Sequence, residues 1–81
     1  MFENLGNTRF IRGNYPGAIK AYSMSLWVDH TNLRVMKNAA AVFSRMGRQA
    51  DVIRVWNQIR MIAPQDPDVL RVFHANQPAH S

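Results

Sequence analysis

Cysteine is absent. That excludes disulfides, thiolate zinc sites and cysteine nucleophiles together, and it fits a reducing compartment such as the cytoplasm. Carboxylates are also scarce. Five Asp and Glu face ten Lys and Arg, which leaves a formal charge of +5. Such a balance favours acidic partners, although solubility alone also accounts for it. The basic residues are scattered and never adjacent, which argues against a polybasic tail. No apolar run approaches the roughly 18 residues that span a bilayer, so membrane insertion is not expected. The opening MFENLGNTRF holds Glu3 and several polar residues and lacks the apolar core of a secretion signal.

What is present is an ordinary apolar fraction, 47% of 81 residues, enough for one small domain. A chain of this size buries only about 60% of the surface it exposes when unfolded, so its stability margin is thin. The apolar residues recur with a longer period. A shift of 34 positions places Gly13 on Gly47, Ile19 on Ile53, Tyr22 on Trp56 and Val28 on Ile62, and carries Phe2 to Met36 and on to Leu70. Two copies and the start of a third result. An unrelated helical bundle would explain helices but not this register.

Within each copy the spacing is helical. Phe2, Leu5 and Phe10 mark a helix over 2–12, closed by Gly13. Asn14 offers a cap and Pro16 sits in a first turn, predicting a helix over 16–28 with Ala18, Ile19, Tyr22 and Leu26 inward. Thr31 or Asn32 caps a third helix over 33–46, marked by Met36, Ala39, Ala40 and Phe43 and closed by Gly47. A fourth runs over 49–62 with a poor cap at Arg48 and with Ile53, Trp56, Ile59 and Ile62 inward. Asp66-Pro67 restarts the chain. Val69, Leu70 and Phe73 then mark a fifth helix to about residue 76, followed by a frayed tail.

The run LGNTRFIRGNYPGAIKAYSMSLWVDHTN, Leu5 to Asn32, resembles the tetratricopeptide repeat motif through Leu5, Gly6, Phe10, Gly13, Tyr15, Ala18, Tyr22 and Ser25. The second copy resembles it through Ala40, Phe43, Gly47, Trp56 and Pro64. Val52 and Ile59 stand there where small residues are usual. The resemblance implies an all-α fold of antiparallel helix-turn-helix repeats, a right-handed α-solenoid of two repeats plus a short C-terminal helix. The spans are 1–32 and 33–66 for the repeats, 67–76 for a partial third, and 77–81 for a flexible tail.

In that family the first helix of each pair lines a concave groove that binds peptides. Carried over, the groove positions are Glu3, Asn7, Phe10 and Ile11, then Arg34, Lys37, Asn38, Ala41, Ser44 and Arg45, then Asp68, Arg71, Val72 and Ala75. Their basic members imply a positive bias and a preference for an acidic peptide. One branch of the family clamps the acidic tails of heat-shock chaperones. Asn7 and Asn38 stand at its asparagine positions, but Glu3, Asp68 and Val72 stand where its cations should be, which argues against that ligand. Met24, Trp27 and Met61 form a candidate second interface on the second helices. It suits self-association or a place in a longer array, because stacked repeats bury a core only through neighbours.

Catalytic patterns are lacking. His30, His74 and His80 have no metal-ligand spacing, and no glycine-rich phosphate loop is present. The expectation is a protein-binding module or scaffold, not an enzyme, with no cofactor and no metal. A related helical repeat family reads RNA. The small-residue positions here follow the protein-binding family, and no aromatic platform exists beyond Phe10, so nucleic acid is disfavoured.

Overall fold

A computed structural model describes residues 2–75; the tail expected at 77–81 and the last position of the span 67–76 lie outside the described residues. The described chain is all-helical, with five helices in a repeat-like array: α1 (Phe2–Ile11), α2 (Tyr15–Val28), α3 (Leu33–Arg45), α4 (Gln49–Ile62) and α5 (Pro67–Ala75). Each helix packs on the next, and α1 also touches α3. No described helix is long and apolar enough to cross a membrane.

The turns follow from local chemistry. Gly13 and Gly47 adopt φ of 80° and 74°, a region open to glycine because it has no Cβ. Behind each, an amide reaches back over the helix end: Asn14 N–H to the Arg9 carbonyl at 2.8 Å, Arg48 N–H to the Phe43 carbonyl at 2.9 Å. The Oδ1 of Asn14 accepts from Gly17 N–H at 3.1 Å, which starts α2 one residue before Pro16. Asn32, rather than Thr31, caps α3 by accepting from Val35 N–H at 3.2 Å. Asp66 caps α5, its Oδ1 accepting from the amides of Asp68 and Val69 at 2.8 and 3.3 Å. Arg48 makes no side-chain cap on α4. Asp51 in the first turn compensates, because a carboxylate is favourable near exposed helix amides, and it is itself held by Arg48 and Arg54 at 2.6 and 2.7 Å.

The third helix is the spine of the core. Val35, Ala39 and Val42 form one stripe at helical spacing and pack with Ala18 and Tyr22 of α2. Met36, Ala40 and Phe43 form the adjacent stripe and pack with Val55 and Ile59 of α4 and Val69 of α5. One helix thus joins the two hairpins.

Four expected apolar positions lie outside it, among them Leu5 of α1 at 40% exposed. Ile53, Ile62 and Leu70 are 58%, 42% and 40% exposed. Their counterparts one repeat earlier show why. Leu70 corresponds to Met36, which is buried in the cluster that includes Val55 and Ile59 of α4, and no described helix follows α5 to do the same. Ile53 corresponds to Ile19, which packs into both clusters. Ile62 ends α4 as the exposed Val28 ends α2.

Candidate functional site

The first helices of the repeats are tied edge to edge by side chains at one constant separation. Arg34 of α3 donates to both carboxylate oxygens of Glu3 of α1, at 2.6 and 3.1 Å, across 31 residues. Asn38 Nδ2 donates to Asn7 Oδ1 at 3.2 Å, again across 31. Lys37 Nζ donates to Asp68 Oδ2 at 2.9 Å, also across 31, and to both oxygens of Asp66 at 2.9 and 3.1 Å. The spacing is the repeat of 34 less about one turn. The same separation of 31 relates Phe10, Ala41 and Val72 along the sequence, and the small Ala41 is exposed.

Asn7 is fixed from two sides. Its Oδ1 also accepts from the buried Tyr22 hydroxyl, and the Tyr22 ring lies so close to Gly6 that a Cβ there would stand 2.5 Å from it. Small Gly6 therefore sets how near α1 and α2 approach, and Tyr22 then orients Asn7. The remaining amide nitrogen of Asn7 and the oxygen of Asn38 bond no described residue. No buried polar side-chain atom among the described residues lacks a partner, so both groups reach solvent. A donor and an acceptor are thus held side by side on the α1–α3 face.

The ion pairs set the local protonation. The Arg34 guanidinium holds the Glu3 carboxyl below its ordinary range. The Lys37 ammonium does the same for Asp66 and Asp68, and these two carboxylates raise Lys37 in turn. Burial pushes the Tyr22 phenol up, helped by the charge of Glu3.

Of the expected groove residues, the structure brings Asn7, Asn38, Arg34 and Lys37 onto the linked α1–α3–α5 face. The charges of Arg34, Lys37 and Arg71 are met there by Glu3, Asp66 and Asp68, since Arg71 also pairs with Asp68. Arg45 stands apart. At the C-terminal end of α3 it lines a surface hollow of about 280 Å³ with Phe10, Ile11, Gly13 and Tyr15. Phe10 and Tyr15 meet there edge to face at 5.9 Å. Sequence reasoning missed the place of Tyr15 in this hollow and the hold of Tyr22 on Asn7. Tyr15 was legible only as a motif position, and the Asn7 contact depends on a helix crossing that no local pattern reports.

Of the second-interface residues, Trp27 and Met61 are 90% and 85% exposed, and Met24 is 43% exposed. Met61 lines an apolar hollow with Leu26, His30, Met36 and Ile62. Among the described residues no group of three or more His, Asp or Glu could hold a metal ion. No family model matches the chain, and no curated protein or solved structure matches it.

Proposed function

We propose that the chain is a tetratricopeptide-type adaptor, not an enzyme, that binds a peptide segment along the face shared by α1, α3 and α5. The observation that carries the reading is the Asn7–Asn38 pair, whose outward donor and acceptor match the hydrogen-bonding groups of an extended peptide backbone. Their preorganisation by Tyr22 lowers the ordering cost of binding. The small Ala41 one turn along supplies space for a ligand side chain.

The test is a selection from a random peptide library, followed by titration of the selected peptides against Ala41→Trp. The exposed position tolerates the larger side chain, so the melt is expected to be unchanged. Affinity should fall by an order of magnitude or more, because the indole fills the space beside the asparagines. Undiminished binding by this variant would overturn the groove reading.

A second reading is an assembly element. What favours it is the pair Trp27 and Met61, at equivalent positions of the two second helices and almost fully exposed.

A further inference from the structure

The charge of the chain is concentrated at one end. The N-terminal halves of α1, α3 and α5 lie together, as their mutual contacts require, and with them lie the C-terminal ends of α2 and α4. By helix position that end holds Arg34, Lys37, Arg60 and Arg71 against Glu3, Asp29, Asp66 and Asp68, four against four, with the Arg60 guanidinium lying over the Phe73 ring at 4.3 Å. The opposite end, marked by the turns at Gly13 and Gly47, holds Arg9, Arg12, Lys20, Arg45, Arg48 and Arg54 against Asp51 alone. The entire formal charge of +5 therefore belongs to the Gly13–Gly47 end.

Half of these cations are committed, and the side chains of Arg12, Lys20 and Arg45 make no hydrogen bond or ion pair among the described residues. Arg9 donates to the Gly17 carbonyl at 3.1 Å. Arg48 and Arg54 share Asp51. The Arg45 side chain makes no hydrogen bond or ion pair among the described residues, and it stands beside the hollow walled by Phe10, Ile11 and Tyr15. Ile11 is 85% exposed. An uncommitted guanidinium beside a hollow walled by Phe10, Ile11 and Tyr15 matches one carboxylate adjacent to one apolar side chain. A nucleic-acid strand calls for a track of free cations and open aromatic faces. Here Arg9, Arg48 and Arg54 are tied, which leaves Arg12, Lys20 and Arg45 rather than a continuous track, and Phe10 is engaged edge to face by Tyr15.

The geometry points to the Arg45 hollow as the anchoring subsite for an acidic peptide, with an Asp or Glu carboxylate on Arg45 and a neighbouring large apolar side chain between Phe10, Ile11 and Tyr15. This rests on the peptide-binding reading above and specifies the ligand class it takes. Arg34, by contrast, is already spent on Glu3 and contributes no ligand contact. The excess charge at this end also speeds the encounter with an anionic ligand, so the association rate falls with salt.

The experiment is a fluorescence-anisotropy titration of the full chain. The probe is an end-blocked, fluorescein-labelled peptide with a central Phe-Asp-Asp segment, and the control carries Phe-Asn-Asn. The acidic probe should bind at least about tenfold more tightly than the control, the worth of one charge-assisted hydrogen bond. Arg45→Gln should remove that preference, Arg45→Lys should retain part of it, and Arg34→Gln should leave it within about twofold. Ile11→Asp should weaken the acidic probe.

Equal affinity for the two probes, or an unchanged preference in Arg45→Gln, overturns the subsite. So does tighter binding of a single-stranded oligonucleotide or of anionic phosphatidylserine vesicles that is indifferent to Ile11→Asp. If Ala41→Trp abolishes binding of library-selected peptides while Arg45→Gln does not, the groove stands and the subsite falls. If neither substitution matters, both fall.

Discussion

Asn38 donates to Asn7 at 3.2 Å across 31 residues of sequence, the separation that also joins Arg34 to Glu3 and Lys37 to Asp68. One stacking relationship between first helices therefore decides which side chains meet. It spends three cations of the α1–α3–α5 face internally and leaves Arg45 at the end of that face uncommitted. Each rung of this ladder is open to test.

The Glu3–Arg34 rung gives the most direct check of the register. Glu3→Arg places two cations together and should lower the melting temperature, and Arg34→Glu should do so with two carboxylates. The double exchange restores an opposite pair in the same place and should recover most of the loss. The singles should also become more tolerant of salt relative to the parent, because a pair at an exposed edge is screened. A double exchange no better than the singles would show that the two side chains do not meet.

Glycine substitutions should separate two physical causes. Gly6→Ala forces a methyl against the Tyr22 ring, 2.5 Å from its nearest atom. Overpacking of this kind costs about 1–3 kcal/mol. Gly13 and Gly47 have nothing within 4 Å of a built Cβ, but both hold a positive φ. Alanine there costs about 1–2 kcal/mol from backbone strain alone. Asparagine tolerates that backbone region, so Gly13→Asn and Gly47→Asn should cost less than alanine at the same sites. Gly6→Asn should cost more than Gly6→Ala. Urea titration of the six variants reads all of these.

Much of the fold was legible because it is written locally. Gly13, Asn14, Pro16, Asn32, Gly47 and Asp66 each fix a turn through their own backbone needs, and the helices fall within one residue or so of the expected bounds. Which face is covered was less legible. Ile53 and Leu70 have the hydrophobic spacing of core residues, but burial depends on a neighbouring helix, and spacing within one helix cannot report that. The groove charges show the same limit. Arg34 and Lys37 read as free cations from sequence, yet Glu3 and Asp68 lie 31 residues away and reach them only through the stacking register. A search for opposite charges at the repeat length less one turn would have found both pairs.

Stability should hold a plateau in pH and fall at both ends. Glu3, Asp66 and Asp68 titrate below their ordinary range when folded. The stability they add is complete above the unfolded carboxylate values, about 4, and is lost as pH falls below them. Lys37 and Tyr22 are both raised when folded. Their stability is complete below their unfolded values, about 10, and is lost as pH rises beyond them. Melts followed by circular dichroism should therefore be level from about pH 5 to 9. Lys37→Met should flatten both arms, since the lysine holds Asp66 and Asp68 down and titrates itself. An unaltered acid arm in that variant would remove Lys37 as its cause.

Self-association is the remaining expectation, and it rests on Trp27. The indole is 90% exposed, Val28 beside it is 76% exposed, and Met61, the counterpart of Trp27 in the next hairpin, is 85% exposed. Close by, Leu26, Met36, Met61 and Ile62 line an apolar hollow of about 410 Å³. A projecting aromatic and an apolar hollow at the same end of one molecule can be satisfied together by a second copy, because a two-fold axis presents each to the other's partner. Sedimentation velocity across a concentration series should then show the mass rising above the 9.3 kDa of one chain. Trp27→Glu should hold the mass at the monomer value without lowering the melting temperature of a dilute sample, since the side chain adds nothing to the monomer core. Trp27→Phe keeps an apolar knob of smaller size and should weaken association without abolishing it. A parent protein that stays monomeric throughout the series would assign the exposed indole no role in pairing, and an associating Trp27→Glu variant would move the interface elsewhere.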